Sequence, residues 1–490
     1  MRQLTEHDAA YIYSDSAHAN SNVTLLHIYD QTTAPGGMVR FKQILTHVES
    51  RLGQLPVFRQ KILRVPLDLD YPYWIEDENF DIEYHVRHIA LPKPGDWRQF
   101  CIQASRIHAR PLDLQRPLWE MYVIEGLDSF LDLPVGSFAV LLKVHHAAID
   151  VAQGNEFTTL LHDVSPDSPP PAPPAPWFPE SPPGSLGLLL RAGLNLATFP
   201  LRIAQPLGRS WTTLKSATRT FVGEFIGRPH DFPLTRFNSE VSPHRVFETR
   251  RFALKDFKAI RSLADGATVN DVVLAVCAGG LRRYLDMQGE LPEASLVAAA
   301  PIAVRSGPAS EGPAVFSWVR RSSAPISRIL SNASPRSRPP VLPRTWPSAA
   351  IAATSKMLRS ASALLGDWVP LANCAITNVP GPRIPLYLHG ARLTYVSAIM
   401  PISDGMGLVF SVTSYSDMIA VSFTACYEQL PDPEVFAQCL RDSFQEYLAL
   451  ASPRARRKPR PAAAKAPRRK VAAAVAKPPR RKAATRAAVP

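Results

Sequence analysis

SFAVLLKVHHAAIDVAQG, Ser137 to Gly154, is the stretch on which the reading of this chain turns. An apolar run of strand character ends in two histidines, and an aspartate stands four residues beyond the second. Side chains alternate faces along a strand, so His145 and His146 cannot both face one cleft while the strand continues; one of them is structural. Asp150 falls in the turn ahead of EFTTLLHDV, where a carboxylate can orient an imidazole, pair with a buried arginine or cap a helix. From this segment alone, a strand-end pair satisfied by hydrogen bonds and a catalytic pair both remain open. Neither CxxC nor HxxxH stands nearby to complete a zinc site, so no metal is expected.

Working outward, 490 residues exceed what one hydrophobic core usually supports, so two domains or one two-lobed domain is expected. The five cysteines (Cys101, Cys277, Cys374, Cys426, Cys439) are odd in number and scattered, which argues for a reducing, cytoplasmic setting rather than a disulfide framework. The opening MRQLTEHDAAYIYSD lacks the apolar core of a secretory signal, so no export is expected. Leu186 to Gly208 is the best membrane candidate, but Arg191, Pro200 and Arg202 interrupt it, so it fails as a spanning helix. It packs over the other lobe or lies on a lipid surface.

The formal net charge of +13 suggests nucleic acid until it is localised. Residues 451–490 carry 14 Lys and Arg and no acidic residue; subtracting them from the chain's 55 leaves 41 basic against 42 acidic. The body is near neutral, and the excess lies in an Ala/Pro/Lys/Arg tail whose composition cannot bury enough surface to fold alone. Such a tail is attracted to anionic lipid or to nucleic acid alike. Asp163 to Ser185 holds ten prolines and reads as a stiff, extended linker. The expected organisation is a first lobe over 1–162, a linker over 163–185, a second lobe over 186–452 and a disordered tail over 453–490.

Strand-like runs such as MIAVSFTACY (Met418 to Tyr427) alternate with helical stretches such as VNDVVLAVCAGGLRRYLDMQ, where Val269, Val272, Val273, Val276 and Leu281 recur at helix spacing. The mixture predicts an α/β (α+β) architecture. No 20- to 50-residue period repeats, which excludes solenoids.

Further motifs stand on either side of the histidines: RPLDLQRPLWEMYVIEGL (Arg110 to Leu127), TVNDVVLAVCAGGLRRYL (Thr268 to Leu285), APIAVR (Ala300 to Arg305) and NCAITNVPGPRIPLYLHGARL (Asn373 to Leu393). In this order, across nearly the whole chain before the tail, they resemble the bacterial wax ester synthase/diacylglycerol acyltransferase family. HHxxxD alone is moderately specific; PLDxxRPLWE with HHxxxD, NDVVLA and NVPGP is highly specific. The resemblance implies two chloramphenicol-acetyltransferase-like lobes with an active-site channel between them, open at both ends to acyl-CoA and the acceptor alcohol. It implies His146 as general base, with no cofactor beyond acyl-CoA as co-substrate and no acyl-enzyme. It also implies that Asp150 holds the loop by pairing with an arginine, for which Arg305 is the candidate.

Asn270 and Asp271 match the family's ND pair, which supports the site; the alternative is that either caps the helix beginning there. Asn378, Pro380, Gly381 and Pro382 are expected to form a tight turn, either as a turn alone or beside the substrate channel. Pro117, Leu118 and Trp119 are expected to line the acyl channel or the core.

Three departures stand out. Val151 follows Asp150 where the family often has glycine, so this turn needs an ordinary conformation or some strain. Thr377 replaces the usual serine before Asn378. Glu311 to Ala350 is suddenly rich in Ser, Pro and Arg where the family has a strand and an acidic helical segment. With synonymous codons chosen for Arg320 to Ser334, reading each third base with the next two bases spells AQLRTDIADPVERL, so the stretch is compatible with the expected segment one frame over. A compensated frameshift accounts for this, beginning near Ser306 to Ala314 and ending near Pro340 to Ala350. The alternative is a divergent surface insertion.

The leading functional expectation is an O-acyltransferase making triacylglycerol or wax ester from long-chain acyl-CoA and a diacylglycerol or fatty alcohol, peripheral at the inner membrane or a lipid body. One alternative keeps the fold with another hydroxyl acceptor. A second, from a different class, is a catalytically impaired binder of lipid surfaces or nucleic acid that works through the tail.

Overall fold

The computed structural model describes residues 1–129, 133–149, 161–168, 177–179, 181, 183–195, 232–304, 315–322, 370 and 372–452. Within these, the expected two-lobed mixture of sheets and helices is present. The first lobe is built on β2 (Asn22–Asp30), β5 (Val86–Ala90), β6 (Trp119–Leu127), β7 (Ser137–His145), β12 (Tyr387–Leu388) and β13 (Ala391–Ile399), in the order β12-β13-β2-β7-β6-β5. Beside it lies a small sheet of β1 (Arg2–Gln3), β3 (Gln60–Leu63) and β4 (Tyr73–Glu76).

All nine residues of β7 are buried, which explains why SFAVLLKV reads as a continuous apolar run rather than an alternation. Ala139 and Leu141 pack with Phe100, Ala104 and Ile107 of α4 (Trp97–Ala109). Val140, Leu142 and Val144 face the other way, toward Ile44 and Val48 of α2 (Phe41–Arg51), and the one-turn helix α3 (Ile82–His85) leads into β5.

The second sheet runs β10-β9-β11-β14-β15-β8, formed by β8 (Arg245–Ala253), β9 (Val297–Val304), β10 (Val315–Ser322), β11 (Cys374–Pro380), β14 (Leu408–Tyr415) and β15 (Met418–Cys426). The helices α5 (Leu254–Arg261), α6 (Val269–Met287) and α7 (Pro433–Ala451) share its core, with Val272, Val273, Val276 and Leu281 buried as their spacing predicts. A Cβ on Gly280 would lie 2.4 Å from Leu440 Cδ2, and one on Gly279 would lie 2.2 Å from Ser443 Oγ. The glycine pair is therefore what lets α6 approach α7 so closely.

Chain from beyond the proline-rich segment completes the first sheet, because β13 pairs antiparallel with β2, Leu393 opposite Tyr29 and Ala398 opposite Leu25. Buried hydroxyls bind the two sheets where β13 meets the second lobe: Ser397 and Ser422 lie 2.6 Å apart, and Ser422 donates to Thr249 over 2.8 Å. Trp97 Nε1 of α4 donates across the same seam to Glu248 Oε1 over 2.6 Å. Unpaired, these groups would each cost on the order of 1–3 kcal/mol, so they fix one registry of lobe on lobe.

Of Leu186 to Gly208, residues 196–208 lie outside the described residues. The helix over 185–195 buries Leu188 and Ala192 against Val65, Tyr73 and Ile75 of the first lobe. Leu186, Leu190 and Leu194 remain 73%, 64% and 68% exposed on its outer face. Among the described residues no helix is long and apolar enough to cross a membrane. Within the anomalous stretch, Val315–Ser322 forms the edge strand β10 antiparallel to β9; 311–314 and 323–350 lie outside the described residues, as does the tail over 453–490.

Candidate active site

Strand β7 ends at His145, and His146 opens a single 3-10 turn, His146–Ala148. That break separates the two imidazoles. His145 keeps the facing of Lys143 and is 1% exposed, whereas His146 leaves the strand and is half-buried.

Both ring nitrogens of His145 are committed. Nδ1 accepts from the Ala147 N–H over 3.1 Å, so Nε2 carries the proton, and it donates to Asp15 Oδ2 over 3.0 Å. The backbone of the pair is fixed as well: His145 N–H donates to Leu118 O over 3.0 Å and His146 N–H to Ser21 O over 2.8 Å. Asp15 is anchored in turn, since its Oδ1 accepts from Ser21 N–H over 2.8 Å. The His146 ring stacks on Tyr11, with centroids 4.0 Å apart and planes 15° from parallel.

Beneath the pair lies a buried charge cluster. Lys143, fully buried within β7, donates through Nζ to Glu120 Oε2 over 2.9 Å and to the carbonyls of Ile107 and Arg110 over 3.2 and 3.1 Å. Burial holds the Lys143 ammonium below its ordinary pKa, and Glu120 opposes that shift. The same Arg110 carbonyl accepts from Asn22 Nδ2 over 3.3 Å, so β2 and β7 together clamp the end of α4 and the PLDLQRPLW loop. His108 lies in this layer, 2.9 Å from Thr24 Oγ1. Burial, with Arg245 and Lys143 nearby, pushes its pKa down to about 3.

Pro117, Leu118 and Trp119 are core residues. Trp119 is 1% exposed, stacks on His85 at 4.7 Å and donates through Nε1 to Phe58 O over 2.8 Å. Leu118 meets the motif through its carbonyl, as described. A small, partly open void of about 10 Å³ between α2 and the sheet is lined by Val48, Arg51, Leu52, Leu55, Phe58, Trp119, Met121 and Leu161.

The ND and NVPGP motifs meet. Asn378 Nδ2 donates to Asn270 Oδ1. Asp271 is occupied otherwise: its Oδ2 accepts from Thr268 N–H over 2.9 Å while Thr268 Oγ1 accepts from Asp271 N–H over 3.2 Å, a reciprocal cap on α6. The two neighbours therefore divide between the readings, Asp271 closing the helix and Asn270 clasping the second motif. NVPGP is not the tight turn expected of it: Asn378, Val379 and Pro380 continue β11, parallel to β14 with Pro380 opposite Ser414. The ladder outweighs the turn propensity of the residues, and proline is tolerated because it ends the strand. Gly381 N–H donates to Ser414 O over 2.9 Å, and a Cβ there would lie 2.1 Å from that oxygen, so only glycine fits.

Asp150 and Arg305 lie outside the described residues. Sequence reasoning did not find Tyr11, Asp15 or Ser21, all on or just after α1 (Glu6–Ser14), because they lie more than a hundred residues from the motif they serve. It also did not find a link from this segment to the second lobe, where His18 Nε2 lies 3.0 Å from Asp404 Oδ2. Among the described residues no group of His, Cys, Asp or Glu is disposed to hold a metal ion.

The wax ester synthase/diacylglycerol acyltransferase catalytic domain matches residues 4–273, and the C-terminal domain of the same family matches residues 342–447. A Mycobacterium tuberculosis (strain CDC 1551 / Oshkosh) protein named as a candidate diacylglycerol O-acyltransferase is 31% identical over 475 residues, covering 91% of this chain and 90% of that one. Another from the same strain is 30% identical over 93% of this chain and 98% of its own length. The solved wax ester synthase/diacylglycerol acyltransferase of Marinobacter aquaeolei VT8 superposes with a TM-score of 0.61 at 25% identity, over 92% of this chain and 99% of that one. The starter condensation domain of rhizomide synthetase, solved with C8-CoA, shares the fold at a TM-score of 0.51 and 14% identity, over 92% and 94% of the two chains. With its motifs in family order and its two lobes in the family's arrangement, the chain belongs to the wax ester synthase/diacylglycerol acyltransferase family and is an acyltransferase.

Proposed function

We propose that this enzyme transfers a long-chain acyl group from acyl-CoA to the hydroxyl of a diacylglycerol or a fatty alcohol, with His146 as general base. The observation that carries the assignment is the division of labour at the strand end. His145 has both nitrogens committed to Asp15 and Ala147, while His146 is half-buried on the turn beyond it.

His146 takes the acceptor's hydroxyl proton as that oxygen attacks the thioester carbonyl. The C–S bond breaks as the tetrahedral adduct collapses, and the CoA thiolate leaves with the proton that His146 returns. A well-placed base contributes roughly 10²–10⁴-fold to such a step. His145 and Asp15 fix the turn that aims it. Asn270 and Asn378 support the wall of an interlobe channel, and Asp150 with Arg305 is assigned to hold the motif loop.

Substrates of this class partition into lipid, and the outward row of Leu186, Leu190 and Leu194, with Arg191 among them, suits peripheral docking on the cytoplasmic face of a membrane or on a lipid body. The basic tail adds attraction to anionic headgroups, at about 1 kcal/mol per Lys or Arg near the surface.

The test is release of free CoA thiol from palmitoyl-CoA with diolein or hexadecanol as acceptor, comparing the enzyme with His146→Ala. Turnover that vanishes in the variant supports the reading and the better acceptor names the product; equal turnover in both overturns His146 as base.

A further inference from the structure

We propose that Tyr11 is a positioning residue for the base, its ring a platform on which the His146 imidazole lies flat and against which its protonated form is stabilised. The inference rests on the assignment of His146 above and concerns a residue far from the motif in sequence.

Helix α1 is built to deliver this ring. Thr5 caps its N-terminus by accepting from Asp8 N–H over 3.1 Å, and Ala9 and Ile12 are buried in a cluster with Leu4, Ile62, Trp74, Leu118 and Ala147. That packing docks α1 directly against the His146–Ala148 turn. Tyr11 projects between the buried positions, its centroid 4.0 Å from that of His146 and the planes 15° apart. The chain after α1 closes the arrangement: Ser14 and Ser21 hydroxyls donate to the Tyr11 carbonyl over 2.9 and 3.4 Å, and Ser21 O accepts from His146 N–H.

The geometry suits a base for two reasons. A flat stack touches the face of the imidazole and not its edge, so it fixes the ring plane without occupying a ring nitrogen; a hydrogen bond would restrain the ring only by consuming one. Once His146 takes the acceptor proton, the imidazolium lies over an aromatic face, where the ring quadrupole favours a cation. Burial, with Asp8 nearby, pushes the Tyr11 phenol up to about 12, so it stays neutral through the working pH range and competes for no proton. The aromatic face is thus the part of the side chain that meets the base.

The test uses the full chain with Tyr11→Phe, Tyr11→Leu and His146→Ala, read by palmitoyl-CoA turnover and by NMR of the enzyme labelled at the histidine ring carbons. The His146 Hε1 resonance is identified by its loss in His146→Ala. Tyr11→Phe keeps the aromatic face, so it should lose far less kcat than Tyr11→Leu and leave that resonance in place. Tyr11→Leu should lower kcat roughly 3- to 30-fold with the KM for palmitoyl-CoA unchanged, as expected for loss of an aromatic and cation contact. Its Hε1 resonance should move downfield as the ring current disappears. Wild-type kcat in Tyr11→Leu, or an unmoved resonance, overturns the proposal. If Tyr11→Phe falls as far as Tyr11→Leu, the hydroxyl and not the ring is responsible, which overturns it equally. Failure of the underlying assignment reads differently, as full turnover in His146→Ala.

Discussion

Oδ2 of Asp15 lies 3.0 Å from Nε2 of His145, joining the loop after the first helix to the end of a strand 130 residues later. With Ala147 N–H on the other nitrogen, this contact sets the tautomer of His145 and fixes the turn on which its neighbour sits. Asp15→Asn keeps the size of the side chain but offers Nε2–H a weaker, neutral acceptor or, if the amide is reversed, a competing donor. Turnover should fall roughly 10- to 100-fold through displacement of the turn, with the KM for acyl-CoA little changed. Steady-state kinetics of Asp15→Asn beside Asp15→Ala checks this, and wild-type kcat in both would refute it.

Lys143 and Glu120 form a buried pair 2.9 Å apart; without the lysine, Glu120 keeps the Tyr122 hydroxyl at 3.0 Å and Arg87 at 3.4 Å but loses its nearest cation. Lys143→Met should destabilise the chain by about 1–3 kcal/mol, the cost of a lost buried charge-assisted partner, and Lys143→Met with Glu120→Gln should recover part of that loss. Urea denaturation of the two variants measures the difference; equal midpoints would show that Glu120 does not depend on the lysine.

His108 is fully buried and its pKa is pushed down to about 3, whereas an unfolded histidine titrates near 6.5. Because the folded value is depressed, the stability from keeping His108 neutral is complete above the unfolded pKa and is lost as pH falls toward 3. The unfolded chain takes up a proton that the folded chain refuses, costing about 1.4 kcal/mol per pH unit between pH 6 and 4. Replacing it in His108→Gln should make the slope of unfolding free energy against pH shallower by about that amount. An unchanged slope would mean that His108 is protonated in the fold.

The shifted-frame reading of Arg320 to Ser334 predicts the coding DNA itself. Its third codon bases should be those that spell AQLRTDIADPVERL one frame over, flanked by compensating insertions or deletions. Sequencing the gene through codons 306–350 decides this. Restoring the shifted peptide should raise the thermal midpoint, since Val315–Ser322 is at present an edge strand whose outer side has no partner among the described residues.

Much of this protein is legible in its sequence because the decisive signals are local. A strand buried on both faces is apolar at nearly every position, with Lys143 held by Glu120 and two carbonyls as the exception, so SFAVLLKV announces its environment. Helix periodicity marks α6, and alternation along a strand requires His145 and His146 to diverge. Family resemblance carried by the spaced motifs supplies the chemistry expected of them. What only the tertiary structure decided depends on contacts distant in sequence. It pairs Asp15 with His145 and lays Tyr11 on His146, because folding brings α1 onto the motif turn. It assigns Asp271 to a cap and Asn270 to Asn378, since both roles suit the same residue types and only geometry separates them. It turns NVPGP from an expected turn into a strand end, because the ladder with β14 supplies hydrogen bonds that no local propensity records. Residues 387–399 join the first sheet for the same reason: strand pairing is settled by which edge is free in space, and composition on either side of a linker carries no information about that.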